Sequence, residues 1–100
     1  MANKAHTAAL RRIASRYGGT VGTDGQPDIS VGDLSIDVET AATLPEGIAR
    51  LLPLAGRRYV AVTNREAIDE AVRLTAGTGL GVMTPQGDIV RAADGEELAP

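Results

Sequence analysis

Between Asp28 and Thr40 the side chains alternate with a period of two. Ile29, Val31, Leu34, Ile36 and Val38 are apolar, and Asp28, Ser30, Ser35, Asp37 and Glu39 are polar. Only extended chain sends alternate residues to opposite faces, so this stretch reads as two strands. Gly32-Asp33 is the two-residue turn of an antiparallel hairpin. Val31 then pairs with Leu34, Ile29 with Ile36 and Asp28 with Asp37. That register puts Asp28 and Asp37 directly opposite on the polar face, with Cβ atoms about 5 Å apart. Glu39 follows on the same face, about 7 Å further along the strand.

The flanking sequence predicts helices and further strands. From Ala5 to Tyr17 the residues His6, Leu10, Ile13, Ala14 and Tyr17 form one helical stripe, ended by Gly18-Gly19. Thr20–Thr23 reads as a short strand before the turn Asp24-Gly25-Gln26-Pro27. Thr43 with Glu46 is a capping box, and Leu44, Ile48, Leu51 and Leu52 are the stripe of a helix that Pro53 stops. Arg58–Thr63 carries a continuous apolar run suited to a strand buried on both faces. Thr63 and Glu66 repeat the capping box and open a third helix to about Ala76, with Arg65, Asp69 and Arg73 as an i,i+4 charge ladder. Gly79–Thr84 and Asp88–Arg91 read as strands joined by Pro85-Gln86-Gly87, and the tail from Ala92 reads as frayed. The step from strand through helix to strand implies a parallel pair beside antiparallel hairpins, a mixed α/β sheet flanked by helices.

Composition narrows the function. One hundred residues allow one small domain, 43% apolar and 23% charged, which is ordinary globular composition. Without cysteine there is no disulfide, thiolate metal site or thiol nucleophile, and the single histidine, His6, builds no multi-histidine zinc site. Two tyrosines and no Phe or Trp leave no aromatic platform for stacking bases. No apolar run is long enough to span a membrane and no signal-peptide core opens the chain, so the expectation is a cytoplasmic protein without a membrane partner. The net charge of −3 does not advertise nucleic acid, although a local basic patch can still bind it.

Carboxylates as close as Asp28, Asp37 and Glu39 repel one another, which raises a pKa unless a cation neutralises the group. A hard divalent ion such as Mg²⁺ suits them, because it binds through one or two carboxylates and keeps several waters. The competing reading is a solvated acidic hairpin face, and periodicity alone favours that reading by about two to one.

Pro27-Asp28-Ile29 followed by Ile36-Asp37-Val38-Glu39-Thr40 resembles the PD-(D/E)xK nuclease superfamily, whose signature is Pro-Asp and then Asp/Glu-x-Lys on the next strand. The order of elements over residues 5 to 90 is similar to the restriction endonuclease-like αβββαβ core of archaeal Holliday-junction resolvases. The resemblance implies one such domain over residues 1–100, hydrolysing phosphodiester bonds in DNA with Mg²⁺ or Mn²⁺. Asp28 and Asp37 would be metal ligands, with the Val38 carbonyl as another and Glu39 as a third carboxylate ligand or general base. This chain departs from the pattern by holding Glu39 at the lysine position. The following helix offers only Arg50, which stays protonated and is no base.

Arg11, Arg12 and Arg16 on the first helix, and Arg57-Arg58 before the buried strand, are candidate phosphate contacts. Their bland reading is a solvated helix face and a charged loop end, as His6 is blandly a residue near a fraying helix end. Gly77-Thr78-Gly79-Leu80-Gly81 lacks the Lys-Ser/Thr of a phosphate loop. Ser30 and Ser35 have no base partner. The expectations are therefore a metal-dependent nuclease that binds DNA, with a homodimer to add buried surface, or a catalytically inactive domain of the same fold serving as a nucleic-acid or protein-interaction module. A structural dimerisation domain is the third alternative.

Overall fold

The hairpin has the register that its alternation dictates. A computed structural model describes residues 4–23 and 25–97; Asp24 of the expected turn and residues 98–100 of the expected tail lie outside it. Strand β2 (Ile29–Val31) pairs antiparallel with β3 (Leu34–Glu39), Ile29 opposite Ile36 and Val31 opposite Leu34. Gly32 takes φ +57°, the positive value a first turn residue needs in such a loop.

Around the hairpin lie α1 (Lys4–Tyr17), β1 (Thr20–Val21), α2 (Leu44–Leu51), β4 (Arg57–Val62), a 3₁₀ turn (Arg65–Ala67), α3 (Ile68–Thr75), β5 (Gly81–Met83) and β6 (Ile89–Arg91). The six strands form one mixed sheet in chain order, β1 to β6. The β3–β4 and β4–β5 pairs are parallel and the other three are antiparallel. Each parallel step needs a helical crossover of one hand, which sends α2 and α3 to the same face. There Leu44, Ile48, Leu51 and Ala71 pack on Val60, Val62 and Val82. Helix α1 covers the other face, where Ala9, Ile13 and Ala14 meet Ile29, Ile36, Val38 and Tyr59. The architecture is α/β, a six-stranded mixed sheet flanked by three helices. No helix among the described residues is long and apolar enough to cross a membrane.

Four local expectations are corrected. Thr43 makes no side-chain bond to α2; it bonds back to Thr40, whose N–H donates to the Thr43 hydroxyl at 2.9 Å. The cap before the third helix is Asn64, whose side chain accepts the Ala67 N–H, so the helix begins as a 3₁₀ turn and not at a Thr63–Glu66 box. The charge ladder is replaced by an i,i+3 pair of Arg73 with Glu70. The stretch from Ala92 to Glu97 is docked, not frayed. Ala93 is buried, the Asp94 N–H donates to Gly79 O at 2.9 Å, and the Tyr59 hydroxyl donates to Glu96 Oε1 at 2.6 Å.

Candidate functional site

The polar face of the hairpin is closed to solvent at Asp37 and Glu39, while Asp28, Ser30 and Ser35 are half-buried. Ser35, Asp37 and Glu39 point to the side of the sheet that α2 covers, so Asp37 is 0% exposed and Glu39 only 7%. Gly47 makes the burial possible: it is a glycine inside α2, and a Cβ there would fall 2.5 Å from Glu39 Cγ. A glycine within a helix commonly marks such an approach, and it was the signal in the sequence that β3 has a helix across its polar side.

Asp28 and Asp37 clasp each other through the backbone. The Asp28 N–H donates to Asp37 Oδ1 at 2.8 Å, and Asp28 Oδ2 accepts the Val38 N–H at 2.8 Å. Val38 thus contributes its amide to the cluster, while its side chain is in the core under α1. From α2, Arg50 Nη1 donates to Asp37 Oδ2 at 3.0 Å and stands 3.9 Å from Glu39 Oε1. From α1, His6 Nε2 lies 3.6 Å from Asp28 Oδ2, so the histidine does reach the carboxylates and its bland reading is set aside. A cleft of about 180 Å³ opens beside them, lined by Gly22, Thr23, Gly25, Gln26, Asp28 and Arg50.

Burial pushes the Asp37 carboxyl above its ordinary range; the Asp28 N–H and Arg50 pull the other way, and the Asp28 charge adds to the rise. Burial likewise raises Glu39, against a hydrogen bond from Thr43 and with the charges of Asp37 and Asp28. Desolvation dominates in both because each carboxyl is packed beneath α2, and the one nearby guanidinium offsets it only in part. Hard oxygen donors with uncompensated negative charge suit a hard divalent cation. Among the described residues, however, no three acidic or histidine side chains converge to enclose one. An ion here would be held by one or two carboxylates and by water, the mode Mg²⁺ favours.

The arginines divide. Arg12 Nη1 donates to Pro85 O at 3.2 Å, and Arg16 Nη1 donates to Gln86 O at 3.0 Å and pairs with Asp88 at 2.6 Å. They tie α1 to the turn after β5, and Arg11 stands exposed beside them on the same helix. Arg57 pairs with Asp33 and Glu96, and Arg58 donates to Leu52 O at 2.9 Å. Arg57 is opposite Leu34 and Arg58 opposite Ser35, whereas Asp37 is opposite Val60 and Glu39 opposite Val62. The Arg57-Arg58 pair therefore sits at the far end of β3 from the carboxylates. Compared with known proteins, the chain matches no family model, no curated protein and no solved structure.

Proposed function

We propose that the chain is a restriction endonuclease-like domain that hydrolyses phosphodiester bonds in DNA with Mg²⁺ or Mn²⁺, through the carboxylates of the β2–β3 hairpin. The observation that carries this reading is the burial of Asp37 and Glu39 beneath α2, beside Asp28, with one guanidinium for three carboxylates. Buried charges are costly, and apolar residues of similar size would stabilise such positions at least as well. Burial and like charge that raise carboxyl pKa values beside a cleft are the arrangement that functional sites use to tune acids and bases. The antiparallel hairpin running into a parallel crossover behind a leading helix is also the order expected of that core.

In this reading Asp28 and Asp37 hold the ion, which when bound polarises a phosphate and acidifies a coordinated water. Glu39 would accept the proton of the attacking water, since among the described residues no three acidic side chains converge to make it a third ligand. Arg50, its side chain 38% exposed, turns one side to Asp37 and offers the other to charge developing on the phosphate. His6 stands by Asp28 at the mouth, where it can orient that carboxylate.

The test is Mg²⁺- or Mn²⁺-dependent cleavage of linear and branched DNA, with wild type active and Asp37→Ala inactive but folded. Cleavage that persists in Asp37→Ala would sink the assignment. In parallel, metal titration should shift the backbone amides of Asp28, Asp37, Val38 and Glu39. One observation favours a second reading: Arg50 already supplies a cation to Asp37 at 3.0 Å. A domain that binds nucleic acid without cutting it would leave those amides unmoved by metal while still retarding DNA.

A further inference from the structure

The positive charges of this net-negative chain are not evenly neutralised. Arg16, Arg50, Arg57 and Arg73 each stand within ion-pair distance of a carboxylate. Arg12 and Arg65, like Arg58 and Arg91, form no ion pair among the described residues and meet neutral acceptors instead. Arg12 Nη1 donates to Pro85 O at 3.2 Å, and Arg65 Nη2 donates to the Gln86 side-chain Oε1 at 3.0 Å. Pro85 and Gln86 are adjacent, so guanidinium groups from two elements, Arg12 and Arg16 of α1 and Arg65 of the 3₁₀ turn, converge on one tight turn, where Asp88 neutralises Arg16 and leaves the charges of Arg12 and Arg65. A neutral acceptor fixes a guanidinium without cancelling its charge, and each group keeps donors for a further acceptor.

The corner also lies at the same end of the sheet as the site. The turn follows β5 and Arg65 follows β4, both at the carboxyl ends of the parallel strands, the edge where open α/β sheets bind ligands. Glu39 ends β3 at the same edge, and its carbonyl accepts the Thr63 N–H at 3.0 Å. Arg65 is two residues beyond Thr63, at most about 7 Å of chain. The carboxylates and the corner thus border one continuous edge, which Arg57 and Arg58 do not share.

We propose that Arg12 and Arg65, held by Pro85-Gln86, grip the phosphate backbone of a DNA duplex whose scissile phosphodiester lies at Asp28, Asp37 and Glu39. The position of the cut strand rests on the function proposed above; the grip itself does not. Two exposed guanidinium groups with a neutral amide between them supply charge and hydrogen bonds, the sequence-independent terms of backbone recognition. A protein partner would call instead for a desolvated apolar anchor at the centre of the contact. Gln86, exposed between the two arginines, presents an amide in that place.

The experiment measures anisotropy of a short labelled duplex with Ca²⁺ in place of Mg²⁺, across a range of salt. Arg12→Gln/Arg65→Gln is compared with wild type, Asp37→Asn and the surface control Arg73→Gln. The double variant should bind more weakly, with the slope of log affinity against log salt reduced by about 2, since each lost phosphate contact removes about 0.9. The control should match wild type. An unchanged slope, no duplex binding by wild type, or polyglutamate competing as well as duplex would each overturn the proposal, the last by making the partner an acidic protein. Adding Mg²⁺ separates the two claims. Arginine-dependent binding with no cleavage by wild type removes the hydrolase and leaves the grip. Cleavage with an unchanged salt slope in the double variant removes the grip and leaves the hydrolase.

Discussion

Gly47 in α2 lies so close to Glu39 in β3 that a Cβ on the glycine would come within 2.5 Å of Glu39 Cγ and 2.8 Å of its Oε1. The helix closes over the carboxylates because this residue has no side chain. Gly47→Ala would gain about 1 kcal/mol of helix propensity but must displace Glu39 or lift α2, at about 1–3 kcal/mol. The net expectation is destabilisation. In a Glu39→Ala background the same change should become neutral or stabilising. A double-mutant cycle by urea unfolding reads this coupling directly, and additive effects would mean that the contact does not constrain the helix.

Asp37 and Arg50 should respond asymmetrically to neutralisation. Asp37→Asn keeps an oxygen for the Asp28 N–H and removes a fully buried charge, while Arg50 remains accessible to water. Its stability should be unchanged or raised by up to about 2 kcal/mol. Arg50→Gln leaves buried carboxylates without their cation and should cost about 2 kcal/mol, less than for a fully buried pair because the arginine side chain is 38% exposed. Equal losses in the two variants would make the pair a structural bridge.

Burial raises both Asp37 and Glu39 above their ordinary values of 3.8 and 4.5. A raised native pKa contributes stability that is present in full below the unfolded value and lost as pH rises through the native one. These two groups therefore favour the folded state in mild acid over neutrality. The urea midpoint of wild type should fall more steeply than that of Asp37→Asn/Glu39→Gln as pH rises from weakly acid to neutral. Asp33 and Glu70, lowered by their arginine partners, act in the opposite sense, and both proteins share them. Parallel profiles would contradict the assignment.

Tyr59 has its phenol pushed up to about 12, first by burial and then by its hydrogen bond to Glu96. The sign is the same: the contribution is intact below the ordinary value of 10 and lost as pH climbs towards 12. Tyr59→Phe removes both the bond to Glu96 and the acceptor of the Ala93 N–H. It should cost about 1–2 kcal/mol and speed hydrogen exchange at the Asp94 amide, which closes on Gly79 O. Unchanged exchange there would show that the docked segment is held by Arg57–Glu96 alone.

The hairpin was legible in the chain. A period of two admits one register around Gly32-Asp33, and it alone set Asp28 opposite Asp37. The stripe of α1, that of α2 through Leu51 and the apolar run of β4 were equally direct, since each records burial against the element's own geometry; Leu52, read as part of the α2 stripe, caps the helix and is exposed. What the alternation could not say is what lies across from each face. Ser35, Asp37 and Glu39 read as a water-facing row because polar residues on one side of a strand normally are, and only the docking of α2 through Gly47 buried Asp37 and Glu39. The partners of the site are of the same kind. Arg50, thirteen residues from Asp37, and His6, from the far end of α1, reach the carboxylates by the path of the chain, as do Arg12 and Arg65 on their shared turn. Local pattern fixes which side chains share a face, because the backbone period is local. Which charges end up buried together depends on crossovers between distant segments, and those exist only once the sheet has formed.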